Sequence, residues 1–510
     1  MTWVHPAVHV EGHSVKAILQ QEDTPLFTAL KNHVARQAIQ FHIPAHKGGK
    51  GMNADFLDFV GGNTLSLDLI NIAPLDDLHH PTGPIKQAQE LAAIAFGADY
   101  TFFSVQGTST AIMTMVLSTV GPGDKILLPR NVHKSVLTGV LLAGARPVFL
   151  HPEVDMELGI MHGVAVETVS AALLAHPDAK ALVLINPTYF GVSCDLRQIV
   201  HLAHEHQVPV LVDEAHGVHT GFHEKLPVSA MAAGADMAAT SVHKLGGSMT
   251  QSSVLNIRTG RVDPRHVQVV LSMLTTTSTS YLLLASLDVA RKELALHGWT
   301  NLERAIQLAE SARWAINQIP GLHCAGKEIL RSSAAVALDP TKLTISVKDL
   351  GVTGYDIERM LREEFNIEVE LSDLYNILCV LSWGDTSADI DALVNALTTI
   401  SETYQGQLGK REINVHVPAV PVLAMSPREA FYADTETVSL SQSVGRTIAE
   451  MIMVYPPGIP ILLPGEIVEQ QNVDYIEENL RAGLPVQGPD DPEIRFVKVV
   501  REGAQTRGCL

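Results

Sequence analysis

The chain has 510 residues, enough for two or three domains with ample core. Its 36 Lys+Arg against 55 Asp+Glu leave a formal charge of -19, which argues against nucleic acid or an anionic membrane surface as partner and weakly favours a cationic substrate. Cys194, Cys324, Cys379 and Cys509 follow no CxxC spacing, and no basic-then-apolar leader or bilayer-length apolar run is found, so the expectation is a reduced, cytoplasmic protein without zinc or disulfides.

Residues 1–63 mix short helical patterns with the loop Phe41-His42-Ile43-Pro44-Ala45-His46-Lys47-Gly48-Gly49-Lys50-Gly51. Its glycines and lysines invite a phosphate-loop reading, which fails because Gly51 follows Lys50 where a hydroxyl is required. Leu75-Asp76-Asp77-Leu78-His79-His80 and Pro81-Thr82-Gly83-Pro84 form a dense polar turn ahead of a helix starting near Ile85. Two acids and two histidines there could ligate a metal, but capping and loop roles are the expectation, and no metal site is assigned.

From about Tyr100 to Ile257 strand and helix patterns alternate, with strands expected at 101–105, 125–128, 147–150, 181–185, 208–212, 235–241 and 253–257. Such alternation predicts an α/β fold with a mostly parallel seven-stranded sheet, and functional residues at the carboxyl ends of its strands. Gly107-Thr108-Ser109-Thr110 follows the first strand and opens a helix over 111–120. Unpaired N–H groups, the helix dipole and the hydroxyls of Ser109 and Thr110 suit an anion there, although an ordinary N-cap looks the same. Gly121-Pro122-Gly123-Asp124 is no dinucleotide fingerprint, since it joins helix to strand and lacks the third glycine at Ile126. His133, in Arg130-Asn131-Val132-His133-Lys134-Ser135, stands where a strand hands over to a helix, and Thr188 occupies the corresponding loop Asn186-Pro187-Thr188-Tyr189-Phe190-Gly191. Within the amphipathic stretch 195–207, the spacing of His201, His204 and His206 does not share one helical face, so these read as solvent-exposed histidines.

The apolar run Val208-Pro209-Val210-Leu211-Val212 ends in Asp213-Glu214-Ala215-His216-Gly217, which places Asp213 at a buried strand end. These four letters also spell the box of DEAH helicases, a rival reading that would need a Walker lysine loop upstream and a basic groove. Next, Ala235-Asp236-Met237-Ala238-Ala239-Thr240 reads as a buried strand delivering Ser241-Val242-His243-Lys244-Leu245-Gly246-Gly247 to the same edge. Lys244 is therefore a Schiff-base candidate whose neutral fraction crowding and desolvation would raise; the alternative is a solvated loop lysine. A carboxylate and a lysine on neighbouring strand ends suggest pyridoxal phosphate, with Asp213 holding the pyridinium nitrogen protonated.

The hydroxyl-rich loop Leu271-Ser272-Met273-Leu274-Thr275-Thr276-Thr277-Ser278-Thr279-Ser280 leads into a helix over 281–297. After Gly298 a second long helix runs to about Gln318, followed by strands at 343–347, 367–370 and 376–381 and helices at 353–364 and 387–404, a smaller α+β domain. The polar run 405–412 is the best linker candidate, and beyond it Met453 to Glu466 reads as a rigid Pro- and Gly-bracketed loop rather than a regular strand pair. The expected domains are an N-terminal segment 1–63, a cofactor-binding large domain 64–298, a small α+β domain 299–404 and a C-terminal domain 405–510.

Taken together, Gln106-Gly107-Thr108-Ser109-Thr110, the Arg130–Ser135 string, Asp213-Glu214-Ala215-His216, Ser241-Val242-His243-Lys244, Tyr455-Pro456-Pro457-Gly458 and Pro464-Gly465-Glu466 resemble the Orn/Lys/Arg decarboxylase family, in that family's order and across most of the chain. Within it the chain looks most similar to the Gram-positive type of arginine decarboxylase. The resemblance implies an aspartate aminotransferase fold, pyridoxal 5'-phosphate as cofactor, and decarboxylation of a basic amino acid, most of all arginine to agmatine, as in polyamine (spermidine) biosynthesis. Lysine, ornithine or an aminotransferase reaction are the alternatives, because an aminotransferase would use the same lysine and aspartate. It further implies phosphate contacts at Ser109, Thr110, Ser241 and His243, stacking of His133 on the cofactor ring, and a cofactor or substrate contact at His216. Lys244 or His243 is the implied proton donor to Cα, Thr188 a pocket residue, and Ser278 a residue reaching a neighbouring subunit's phosphate in a homodimer or larger assembly. Glu466 is expected to bind the substrate guanidinium; the alternative is a surface glutamate capping a helix near Ile467.

Overall fold

A computed structural model describes residues 19–404, 419–454, 459–481 and 486–503. The proposed linker at 405–412 and Tyr455-Pro456-Pro457-Gly458 lie outside the described residues.

The main sheet is built from β1 (Tyr100–Ser104), β2 (Lys125–Pro129), β3 (Arg146–Leu150), β4 (Ala179–Ile185), β5 (Val210–Asp213), β6 (Met237–Thr240) and β7 (Ser253–Ile257). Its spatial order is β1-β7-β6-β5-β4-β2-β3. β2 runs parallel to both β3 and β4, whereas β7 runs antiparallel to β1 and β6. The seven strands fall close to where the alternation placed them, because each is a short, mostly apolar run between helical stretches; β5, β6 and β7 are buried at every position.

By compactness the chain divides into one unit of residues 1–118 and 212–301 and another of 119–211 and 302–510. In the first, the helix Pro25–Ala35 is held by a buried ion pair on the helix Tyr281–Ile316. Asp288 accepts the Leu26 and Phe27 N–H groups at 3.0 and 3.2 Å, as a cap would, while Arg291 donates to Asp288 at 2.8 Å and to the Gln21 and Asp23 carbonyls. A capping role also explains the polar turn: the Asp76 carboxylate accepts the N–H groups of Thr82, Gly83 and Ile85 ahead of the helix Pro84–Phe96.

The helix expected to break at Gly298 continues without interruption over Tyr281–Ile316. Gly298 serves packing instead: a Cβ there would stand 3.3 Å from the Phe222 Cβ.

In the second unit, a four-stranded sheet takes the order His323–Cys324, Lys342–Ser346, Asn376–Val380, Leu371–Ser372. The strand expected at 367–370 is displaced to Leu371–Ser372, with the Glu370 N–H still donating to the Leu378 carbonyl at 2.9 Å, so the edge is kept short. The helices Gly354–Phe365, with a Thr353/Asp356 capping box, and Ser387–Tyr404 close the core around Cys324, Leu343, Ile345, Ile377 and Cys379. Burial pushes these two thiols up, to about 11 for Cys324 and about 12 for Cys379; Cys194, also buried, rises to about 12.

The expectation of an irregular loop after Met453 is corrected. Ile452–Val454 and Ile459–Leu462 do pair, antiparallel with a register shift, and Pro460 is accommodated because its strand is at the sheet edge. Among the described residues no helix is long and apolar enough to cross a membrane.

Candidate active site

In the first unit, β5 and β6 carry the central residues. β5 ends on Asp213, only 4% exposed, whose Oδ1 accepts the Ala215 N–H at 3.2 Å. Burial pushes its carboxyl up to about 6, opposed by that hydrogen bond and by the Lys244 charge. Strand alternation turns Glu214 the other way, where it accepts from the Ala230 N–H at 2.6 Å and the Thr240 hydroxyl at 3.1 Å. Burial pushes Glu214 to about 7 and the neighbouring Asp213 charge adds to the rise. Its oxygens are used to hold structure, not to meet a ligand.

After β6, Ser241 holds the N-cap position of the helical turn Val242–Leu245 without a side-chain cap bond, so Lys244 lies in a turn of helix and not in a plain loop. Gly246 ends that turn because a Cβ would stand 2.7 Å from the Val242 carbonyl oxygen. Lys244 is exposed within the chain, which corrects the expectation of a desolvated amine; its direct partner is a buried imidazole, with Nζ 2.7 Å from His216 Nε2. His243 points elsewhere: its Nδ1 lies 2.9 Å from the Ser252 carbonyl, which requires the proton on Nδ1.

The opening of the helix Gly107–Leu117 joins this group through a residue that the sequence reading passed over. Thr108 Oγ1 bonds Ser241 Oγ and lies 2.7 Å from Ser253 Oγ, so three buried hydroxyls tie β7 and the Lys244 turn to the helix N-terminus. Only the small, hydroxyl character of Ser241 and Ser253 on neighbouring strand ends hinted at this. Ser109 is half-buried in the first turn, while the buried Thr110 hydroxyl donates back to the Gln106 carbonyl at 3.3 Å. Gln106 Oε1 in turn accepts the Thr276 N–H at 2.9 Å, anchoring the loop whose exposed Ser278 donates its N–H to Thr276 Oγ1.

In the second unit, His133 is exposed and N-caps the helix Lys134–Ala143, its Nδ1 accepting the Ser135 N–H at 3.3 Å and meeting Ser135 Oγ at 2.7 Å. Thr188 is buried and bonded to Val192 through both backbone and hydroxyl, which closes the loop after β4; Tyr189 donates its hydroxyl to Glu370.

Glu466 is placed differently from either expectation. It is fully buried, neither a surface cap nor an open carboxylate, and both oxygens are engaged by Arg130: Nη1 on Oε1, and Nη2 on Oε2 at 2.8 Å, with the Leu463 N–H also on Oε2 at 2.8 Å. Burial raises its carboxyl and Arg130 pulls it back down. A substrate guanidinium would have to displace an internal one, so Glu466 is withdrawn as the guanidinium receptor.

The first-unit residues fit a phosphorylated aldehyde cofactor on their own chemistry: an accessible amine, a buried carboxylate costly to ionise without a cation, and hydroxyls at a helix N-terminus. Comparison with known proteins gives the same direction. The family model for the Orn/Lys/Arg decarboxylase major domain matches residues 24–389, and that for the C-terminal domain matches 410–484. An arginine decarboxylase of Halalkalibacterium halodurans is 63% identical over 484 residues, covering 95% of this chain and 99% of that one. One of Bacillus subtilis is 61% identical over 485 residues, covering 95% and 99%. Among solved structures, the constitutive lysine decarboxylase of E. coli superposes with a TM-score of 0.80 at 24% identity, covering 94% of this chain and 82% of that one, a likeness of fold.

Proposed function

The chain belongs to the Orn/Lys/Arg decarboxylase family and is a decarboxylase, and from that premise we propose that it converts L-arginine to agmatine and carbon dioxide with pyridoxal 5'-phosphate. The observation that carries the substrate is the near-full-length likeness to arginine decarboxylases. In this reading Lys244 supplies the amine that bonds the cofactor aldehyde, and Asp213 the carboxylate that keeps the ring nitrogen protonated. Burial of Asp213 supports its role, because such a carboxylate gains most from a cation brought to it. Ser109 and Thr110 at the helix N-terminus, with Ser241 held by Thr108 and His243 beside it, would receive the phosphate, and His216 would contact the cofactor or the substrate carboxylate. His133 would stack on the ring, and its capping bond to Ser135 fixes the imidazole plane for that purpose. When bound, pyridoxal phosphate supplies an electron sink for the pair left at Cα as carbon dioxide departs. Lys244, paired with His216, is the group proposed to return a proton to Cα.

We also assign a homodimer or larger homo-oligomer in the cytoplasm, with Ser278 serving the partner's site. Exposed Phe41 and Phe59, at 96% and 93%, support an interface on the N-terminal segment. The family models stop at 389 and resume at 410, which supports a boundary near residue 405 between the small and C-terminal domains. The test is the product formed from an equimolar mixture of arginine, lysine and ornithine. Agmatine with stoichiometric carbon dioxide is expected; cadaverine or putrescine as main product, or a keto acid, would overturn the reading.

A further inference from the structure

The Arg130–Glu466 pair takes no part in the chemistry just described, yet it joins two of the chain's motifs inside one unit. We propose that Arg130 and Glu466 are positioning residues that fasten the segment Pro460–Glu466 to the turn presenting His133.

Arg130 directly follows β2 and continues its ladder, its N–H donating to the Leu150 carbonyl at 2.9 Å. Its side chain, 3% exposed, donates from Nε to the Pro460 carbonyl at 2.9 Å, from Nη2 to the Ile461 carbonyl at 3.2 Å, and from both terminal nitrogens to Glu466. The guanidinium also lies 4.6 Å over the Phe149 ring. A planar fork with donors on two sides can satisfy all of these at once, whereas a lysine ammonium cannot. Arg130 stands three positions before His133, the span crosses the buried Val132, and His133 itself N-caps the helix Lys134–Ala143. Movement of Arg130 therefore passes directly to the His133 backbone, because three residues span at most about 10 Å and one of them is packed. At the far end of that helix, Arg428 donates to the Leu142 carbonyl at 3.3 Å, so the C-terminal region holds the strand, turn and helix at both ends. The alternative, a carboxylate awaiting a substrate cation, conflicts with the saturation of both Glu466 oxygens.

The functional consequence rests on the reading that His133 faces the cofactor; the clasp itself does not. Two measurements on the full-length protein separate them. In cofactor-free protein, hydrogen exchange of the amides in 131–136 should speed up at least about tenfold in Glu466→Gln and in Arg130→Lys, and no further in the double variant, since the pair acts as a unit. In the holoenzyme, Glu466→Gln should lower kcat about tenfold or more, change KM for arginine by less than about threefold, and weaken the circular dichroism of the bound cofactor. Unchanged exchange in both single variants would overturn the proposal, as would a raised KM with kcat and dichroism intact, the pattern of a substrate carboxylate. If His133→Ala leaves kcat and dichroism unaltered, the His133 reading fails, while the exchange experiment still decides the clasp. Should Arg130→Lys not fold, the near-isosteric Glu466→Gln carries the test alone.

Discussion

Replacing Asp213 by Asn should make the cofactor-free protein more stable while abolishing its activity. Asparagine keeps the shape of the protonated acid and an oxygen for the Ala215 N–H, but it has no charge to desolvate. Burial raises the Asp213 carboxyl from 3.8 to about 6, so the folded state binds its proton more tightly than the unfolded state does. The sign follows: the favourable contribution of the protonated acid is complete below about pH 4 and is lost as the pH rises through about 6. Above that the ionised carboxylate costs the folded state a constant amount, about 3 kcal/mol at 1.36 kcal/mol per pKa unit, and at pH 5 roughly half of that. At 4% exposure little solvent screening reduces these figures. Denaturant unfolding of the cofactor-free parent and the variant at pH 5 and pH 8 measures the difference directly. The variant's advantage should roughly double over that interval, and added pyridoxal phosphate should stabilise the parent more than the variant. A variant no more stable than the parent at pH 8 would show that the carboxylate is satisfied by the protein alone and is not held ready for a cationic ring nitrogen.

Borohydride should fix pyridoxal phosphate covalently to the parent and to no position in Lys244→Ala; a labelled peptide containing any other lysine would displace Lys244 from its role. Sedimentation across a dilution series should lose the dimer and arginine decarboxylation together, and a fully active monomer would remove Ser278 from the partner's site.

Much of the frame was legible because its signals are local. An unbroken run such as Val208 to Val212 can only be a buried strand, and the residue that ends it must stand at the sheet's edge. That rule places Asp213 at the end of β5 and brings the turn that carries Lys244 just after the end of β6. What escaped depends on partners far away in sequence. Gly298 reads as a helix stop until Phe222 is seen against it. Glu466 reads as an open acid until Arg130, 336 residues earlier, takes both of its oxygens. Thr108 was overlooked in favour of Ser109 and Thr110 because its value lies in Ser241 and Ser253, which no spacing in the helix announces. The exposure of Lys244 was missed for a related reason: a buried strand before it says nothing about which way a helical turn after it points.

The three thiols buried among the described residues give the molecule internal clocks. A maleimide reacts with thiolate, and with Cys194 and Cys379 pushed up to about 12, only about one thiol in ten thousand is ionised at pH 8 in the folded chain, against about one in four for a free cysteine. Labelling therefore waits for opening, and its rate at each site times the opening of a different layer. Cys324 and Cys379 report on the core behind the four-stranded sheet, whereas Cys194, beside the two-residue strand Val192–Ser193, reports on the loop after β4 that carries Thr188. A mass spectrum taken during slow denaturation would then read out, without any engineered probe, which layer loosens first and whether ligands delay one more than the other.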